Sequence, residues 1–301
     1  MISCPSCKSE KNNLRAPYVY GGTSKHKFYE CETCTLIYLY PKLTKEEESI
    51  FYAKEFEKFM EKRSGPEFDW TGPEKHIKSN QGNVSRRMKV IDKYLAKGSA
   101  VLEIGCSSGF MLKEFKKSTD CIIGIEPSNQ FNEFLTKEGF KNYTSLEEMV
   151  KANGKLKFDL ICHFFVLEHI SDTAGFIKSK LEILKDDGVI IAEVPNGNDP
   201  LTSVYNIDAF EKFYWSIAHH YYFTPKSLGF ILEQIDCEYE FILDQRYDLS
   251  NHLTWLEKGV PGGQGRFNNI FSDKTIESYK QDLINSKKCD TFFVLIRKRN
   301  K

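Results

Sequence analysis

Apolar positions change their spacing three times along the chain, and each change predicts a different kind of structure. Residues 1–40 carry short β-like pieces around a Gly21-Gly22 turn. From Thr44 the spacing turns helical: Thr44 stands as an N-cap with Glu47 at the capping-box position, and Phe51, Tyr52, Phe56, Phe59 and Met60 follow. These features predict a helical segment within 42–65, and Gly65-Pro66 and Gly72-Pro73 predict a loop over 63–76. A second helix is expected over 78–96, with Val84, Met88, Ile91, Tyr94 and Leu95 on one face and a stop near Gly98. Beyond residue 100, apolar runs at 100–104, 121–126, 158–164 and 188–194 alternate with helical patterns at 109–118, 128–138, 145–152 and 173–185. Such alternation predicts a parallel sheet covered on both faces. From Pro195 to Pro225 the chain reads as aromatic and loop-rich. A helix at 225–235, a strand at 237–244 and a last strand at 291–297 complete the pattern.

The length of 301 residues accommodates one large α/β domain with a small appended module. Lysine plus arginine equals aspartate plus glutamate at 42 each, so no overall field gathers phosphate backbones and nucleic acid is not an expected partner. No run of 18 apolar residues predicts a membrane span, and the N-terminus shows no basic region followed by an apolar stretch. A cytoplasmic protein is therefore expected.

Chemistry first appears at the initial strand-to-helix junction. Glu103-Ile-Gly-Cys-Ser-Ser-Gly109 places Gly105 and Gly109 where the backbone turns tightly and a ligand can approach. A glycine-rich turn of this kind is shared by several nucleotide binders. Two details narrow it: the acidic Glu103 precedes the first glycine by two, and the Gly-x-Gly-x-x-Gly dinucleotide spacing is absent. The second strand, moreover, ends in Glu126, suited to accept both hydrogen bonds of a ribose diol. Pro127 and Ser128 follow at the start of the next helix. Phe158-Asp-Leu-Ile-Cys-His-Phe-Phe-Val-Leu-Glu-His-Ile170 and Lys185-Asp-Asp-Gly-Val-Ile-Ile-Ala-Glu-Val-Pro195 form the third and fourth motifs. Together, over about 95 residues, these segments resemble the successive motifs of class I S-adenosylmethionine-dependent methyltransferases, with Ser107 or Ser108 where the family usually has glycine.

The resemblance implies an α/β Rossmann-like fold, with a mostly parallel seven-stranded sheet and an antiparallel last strand. It implies S-adenosylmethionine as cofactor, with Glu103, Gly105, Cys106, Ser107, Gly109 and Phe110 around the methionine part. Glu126, with Pro127 and Ser128, would hold the ribose, and His163 and Phe164 would lie at the strand end that borders the methyl group.

Nine cysteines divide into two groups. Cys4-Pro-Ser-Cys7 and Cys31-Glu-Thr-Cys34 have the spacing of two knuckles closing one tetrahedral zinc site, structural because four thiolates leave no open position. Redox-active pairs or unpaired core thiols are the alternatives, and His26 is a possible competing ligand. Cys106, Cys121, Cys162, Cys237 and Cys289 are scattered and read as reduced core residues. Cys31 to Pro41, followed by an acidic helix, resembles the zinc-ribbon leader of a subgroup of bacterial methyltransferases similar to sugar methyltransferases of nucleotide-sugar, O-antigen or capsule pathways. An acceptor of sugar or nucleotide-sugar type is implied.

Methyl transfer needs an aligned acceptor and, for a hydroxyl, a base. Ile217-Ala-His-His-Tyr-Tyr-Phe-Thr-Pro225 offers His219 or His220 as that base, the other orienting, unless they merely anchor the loop. Glu168-His169 is a further candidate. Some small-molecule and RNA methyltransferases carry Glu-x-x-Glu-His at this point and bind a divalent metal, but Phe165 occupies the first glutamate position here. Arg246, Tyr247, Asn251, His252, Trp255 and Arg266 gather around a glycine-rich turn, as an acceptor-side insertion or as packing on the sheet edge.

The expected organisation is a zinc ribbon at 1–41, a helical leader or lid at 42–97, the cofactor-binding core at 98–244 and an acceptor-side insertion with the last strand at 245–301. The expected activity is O-methylation of a sugar-type precursor of a bacterial surface polysaccharide. N- or C-methylation, methylation of a phosphate-type capsule modifier, and a zinc-ribbon RNA or protein methyltransferase are the alternatives.

Overall fold

A computed structural model describes residues 2–51, 56–64 and 72–299. The Tyr52 position of the leader pattern and the Gly65-Pro66 turn lie outside the described residues.

Seven strands form the main sheet: β4 (Val101–Ile104), β5 (Ile122–Ile125), β6 (Lys141–Tyr143), β7 (Phe158–Phe164), β8 (Leu184–Pro195), β10 (Cys237–Asp244) and β11 (Thr291–Lys298). Their order is β10-β11-β8-β7-β4-β5-β6, parallel except where β11 runs antiparallel to both β8 and β10. This is the expected Rossmann-like methyltransferase architecture with its reversed last strand. All four residues of β4 and of β5 are buried, because helices cover both faces and β-branched side chains suit both. The covering helices are α4 (Gln81–Ile91), α5 (Phe110–Phe115), α6 (Asn129–Lys137), α7 (Leu146–Asn153), α8 (Thr173–Ile183) and α11 (Pro225–Leu232).

The N-terminal leader contributes β1 (Asn12–Ala16), β2 (Lys27–Cys31) and β3 (Ile37–Tyr40), which make a second, antiparallel sheet. Its fourth strand is β9 (Tyr221–Tyr222), from the segment that precedes α11. Ile37 pairs with Tyr222 and Tyr38 with Tyr221, and the Leu39 amide donates to the His220 carbonyl at 3.0 Å. The leader is thus joined to the core by main-chain hydrogen bonds. Phe28, Ile37, Leu39, Trp215 and Tyr222 fill the cluster on one face of this sheet. On its other face Leu36 and Tyr38 merge with Leu228, Phe223 and the core under α8. Burying large aromatic side chains on both faces stabilises the junction by several kcal/mol, at about 1.5–3 kcal/mol per large apolar side chain.

The remaining helices are α1 (Lys45–Ile50), α2 (Phe56–Ser64), α3 (Pro73–Ser79), α9 (Pro200–Ser203), α10 (Asp208–Tyr214), α12 (Leu249–Lys258) and α13 (Asp273–Asn285). Thr44 and Glu47 close α1 as the capping box that the sequence predicts. Several expectations are corrected. The loop expected over 63–76 is helical at both ends, through Ser64 and from Pro73, and proline suits the first turn of α3 because its missing N–H is not needed there. The helix expected over 78–96 is broken at Asn80, whose side chain donates to the His76 carbonyl at 2.9 Å, and it ends in a 3-10 turn at Asp92–Tyr94. The stretch 195–225 contains α9, α10 and β9 rather than loop alone. The helix α12 escapes the apolar pattern because Ser250, Asn251, His252 and Thr254 are among its buried residues. Cys121 is exposed, outside the core where its apolar surroundings put it; the other four scattered cysteines are buried.

Candidate active site

The glycine-rich junction joins β4 to α5. Gly105 and Gly109 have φ of +71° and +72°, the left-handed region that glycine occupies without steric penalty. A Cβ on Gly105 would lie 2.6 Å from the Val166 side chain, and one on Gly109 2.5 Å from Leu135. The loop is therefore pressed against both the turn after β7 and the helix α6. Glu126, at the end of β5, receives hydrogen bonds on its carboxylate from the amides of Ser107 (2.7 Å) and Ser128 (2.8 Å). One acidic side chain thus ties the glycine loop to the start of α6. Ser128 is the N-cap residue of α6, beside exposed Pro127. Cys106 is buried with its sulfur towards Gly124, and Phe110 opens α5. Glu103 is fully enclosed in β4, where burial pushes its carboxyl up to about 8 against the pull of Arg87.

Above the loop sits a residue that the sequence did not single out. His76 of α3 is buried, with Nδ1 2.8 Å from the Ser108 hydroxyl and its ring against Phe110 and Phe131. Burial, aided by Arg87, pushes this imidazole down to about 4. Arg86 and Arg87 of α4 were also missed. Both bind the buried Glu193 of β8, at 2.6 and 2.7 Å, and Arg87 lies 4.1 Å over the Phe164 ring. The signal was present in the sequence: Arg87 falls on the Val84–Ile91 apolar stripe, and Glu193 interrupts an otherwise apolar strand. Each charge sits where only a partner would make it tolerable. His163, on β7, packs edge-on to Phe176 of α8, with the Lys180 ammonium 3.6 Å over the same ring.

Beyond the end of β7 the chain makes a 3-10 turn at Leu167–His169, and the 216–223 segment lies against it. The His220 amide donates to the Glu168 carbonyl at 2.8 Å, which locks the two segments together. Adjacent histidines then diverge. His220 points to the leader, its Nε2 2.7 Å from the Glu48 carboxylate of α1, and its Nδ1 is buried with no hydrogen-bond partner among the described residues. His219 instead meets His169 edge to face, ring centroids 4.8 Å apart. His169 donates through Nδ1 to the Ala218 carbonyl at 2.7 Å. Burial pushes the Glu168 carboxyl up to about 8, His169 down to about 4 and His219 well below its ordinary value.

Two arginines stand near this cluster. Arg63 of α2 donates to the carbonyls of Phe213 (3.5 Å) and Tyr214 (3.3 Å). Arg246 lies 4.5 Å over the Phe165 ring and beside Asp290. Most of the tail residues turn inward as well. His252 Nδ1 is 2.5 Å from the Tyr279 hydroxyl, which lies 2.7 Å from that of Tyr205, and Trp255 packs on Phe210. Arg266 alone is paired on the surface, with Glu257 at 2.5 Å.

At the far end of the leader, the sulfurs of Cys4, Cys7, Cys31 and Cys34 lie within 4.8 Å of one another, with Cys4–Cys34 at 3.6 Å and Cys7–Cys31 at 3.4 Å. Four thiolates on a zinc ion at about 2.3 Å stand roughly 3.8 Å apart, so this set fits such an ion. His26 bonds instead with Thr23, whose amide donates to its Nδ1 at 3.0 Å.

A family model described as a methyltransferase domain matches residues 78–240, more than half of the chain. The chain belongs to this family, and with its sheet order and glycine loop it is a class I S-adenosylmethionine-dependent methyltransferase. Among curated relatives it is similar to the ubiquinone biosynthesis O-methyltransferase of Pelagibacter ubique, 28% identical over 104 residues, covering 33% of this chain and 43% of that protein. The mitochondrial ubiquinone biosynthesis O-methyltransferase of Bos taurus is 28% identical over 109 residues, 33% of this chain and 29% of that one. The chain thus matches less than half the length of these relatives. Among solved structures it is similar to a SAM dependent methyltransferase from Archaeoglobus fulgidus, with a TM-score of 0.46 and 21% identity over 72% of this chain and 93% of that one. No helix of the described residues is long and apolar enough to cross a membrane.

Proposed function

We propose that this methyltransferase moves the S-adenosylmethionine methyl group to a hydroxyl of a small acceptor, with His220 as the base. The observation that carries the reading is the His220–Glu48 pair at 2.7 Å. A carboxylate on one ring nitrogen fixes the tautomer and orientation of an imidazole and leaves the other nitrogen to take a proton. Here that other nitrogen is the buried Nδ1. Glu103, the Gly105–Gly109 loop and Glu126 would seat the cofactor, with Phe110 and Phe164 walling the site. Zinc on the four cysteines would hold the leader in shape, and through it Glu48.

The acceptor class we favour is a sugar or nucleotide-sugar of surface-polysaccharide type. Its support is the likeness of the zinc-ribbon leader to those of sugar methyltransferases. The curated relatives are named for O-methylation in ubiquinone biosynthesis, which supports transfer to oxygen and brings a second reading, an acceptor of that pathway. A panel with S-adenosylmethionine, nucleotide-sugars in one arm and hydroxylated aromatic acceptors in the other, reads turnover as S-adenosylhomocysteine formed. The sugar reading expects turnover in the first arm; turnover confined to the second would overturn it. With the active acceptor, His220→Ala should lower kcat by about 10²–10⁴, the usual range for a general base. Unchanged kcat would remove His220 from the chemistry.

A further inference from the structure

We infer that Arg246 binds an anionic group, carboxylate or phosphate, carried by the acceptor. The inference rests on the reading of the face beyond β7 as the acceptor side, and it adds a charge requirement to the acceptor.

Arg246 follows β10, at the end of the sheet where β7 and β8 also finish. Its guanidinium carbon lies 4.5 Å over the Phe165 ring and 4.9 Å over the Tyr247 ring. Contacts of this kind fix the ion in place without using a hydrogen-bond acceptor. Nε is buried with no hydrogen-bond partner among the described residues, and the ion pair with Asp290 is long, at 3.8 Å. Arg86 and Arg87, by contrast, hold Glu193 at 2.6 and 2.7 Å. The Arg246 side chain is 23% exposed, so a group arriving from solvent can reach it.

The acids nearby are committed elsewhere. Glu193 is taken by Arg86 and Arg87. Asp290 accepts from the amides of Arg246 (3.0 Å) and Tyr247 (2.9 Å) and from the Gln245 side chain (3.0 Å). It therefore holds the main chain at 245–247 rather than the guanidinium. Gln245 in turn accepts from the Asp290 amide at 3.0 Å and meets His252 of α12, whose Nδ1 lies against the Tyr279 hydroxyl of α13. Arg246 is thus fixed from behind, and its planar fork of donors is left for a carboxylate or phosphate, the groups that match it bidentately.

A second observation lies under the guanidinium. Phe165 has a φ of +57°, left-handed backbone that a bulky residue seldom adopts. Strain of this kind persists where the surroundings hold it, and it gathers at ligand sites. The strained residue adjoins Val166, whose side chain meets Gly105 of the cofactor loop. On this geometry one small molecule spans the arginine and the methyl donor.

The test uses the full chain with zinc on its cysteines and S-adenosylhomocysteine bound, so that the cofactor site is already filled. Inorganic pyrophosphate and benzoate are titrated in separate arms by calorimetry at constant ionic strength. At least one should bind one to one, with affinity weakened tenfold or more in Arg246→Gln and unchanged in Arg266→Gln. Binding of pyrophosphate alone identifies the group as phosphate, and binding of benzoate alone as carboxylate. Thermal melts confirm that the variants are folded, and Arg246→Lys, which keeps the charge without the fork, serves if glutamine is not tolerated. No binding of either anion, or equal binding by wild type and the folded Arg246 variants, overturns the site. With an acceptor that turns over, Arg246→Gln should raise KM tenfold or more and change kcat by a few-fold at most, because the anion is held alike before and during transfer. A fall in kcat with KM unchanged overturns the inference. The base and sugar readings fail separately: full turnover in His220→Ala removes the base, turnover confined to aromatic acceptors removes the sugar, and anion binding at Arg246 survives both.

Discussion

The cofactor side and the acceptor side of this molecule are built in opposite ways. Residues 103–110 and 126–128 are two short local segments brought together by adjacent parallel strands, and each side chain reaches its place through one βα turn. The proposed acceptor side draws Glu48 from the leader, Glu168 and His169 from the turn after β7, and His219 and His220 from the segment that leads into the leader sheet's fourth strand. A locally built site depends on backbone conformation within a few residues. A site assembled from distant segments depends on whatever holds those segments together, here β3 against β9 and the aromatic cluster beneath them.

The sharpest way to break that contrast is to remove metal from the cysteines. A leader this small buries little apolar surface of its own, and with the proposed zinc on its cysteines it would depend on that ion for its shape. Chelation, or the double change Cys4→Ser and Cys34→Ser, should loosen α1 and displace Glu48 while leaving the βα core folded. Turnover should fall by on the order of 10²-fold, the cost of misplacing a catalytic group by about an ångström. S-adenosylhomocysteine affinity by calorimetry should stay within a few-fold. Parallel loss of affinity and turnover would mean that the two sides are not separable.

The reverse experiment is Gly105→Ala. A left-handed conformation costs a residue with a Cβ roughly 1–2 kcal/mol, before the contact with Val166 is counted. Cofactor affinity should fall by about tenfold or more, while the four cysteines still bind one zinc by metal analysis. An alanine variant with wild-type affinity would show that the loop does not need its left-handed turn.

The smallest effect concerns His76, which closes over the loop. Its imidazole is lowered by burial from 6.5 to about 4 in the folded protein, so between these values the unfolded chain binds the extra proton. The stability it contributes is complete above pH 6.5 and is lost as pH falls towards 4, a change of order 1–3 kcal/mol. Melting temperatures of wild type and His76→Asn should therefore draw together as the medium is acidified through that window. A constant gap would show that His76 is not held neutral.

The order of strands and helices from residue 100 to 195 could be read from the sequence except for β6, because buried parallel strands are apolar throughout and their helices carry a stripe of period 3.6, whereas Lys141–Tyr143 is a short, partly exposed edge strand with no apolar run to mark it. The glycine turn and Glu126 were equally readable, since their chemistry rests on neighbours in sequence. The four cysteines announced themselves by spacing. Hidden from that reading were α12 and α13, the first because its buried residues are largely polar, the second because only Leu283 of it is buried. Hidden too were the partners of charged residues. Arg87 and Glu193 could be flagged as misplaced charges, but 106 positions separate them and nothing local pairs them.

The residues themselves thus determined the class of fold and the cofactor loop, because periodicity and backbone preference act over a few positions. They also supplied two histidines in a row without saying what either does. Only the tertiary structure decided that His220 meets Glu48 and His219 meets Glu168 and His169. Both lie in the loop that precedes β9, where no periodicity fixes the direction of a side chain, and what each encounters depends on which distant segments the fold has packed around that loop.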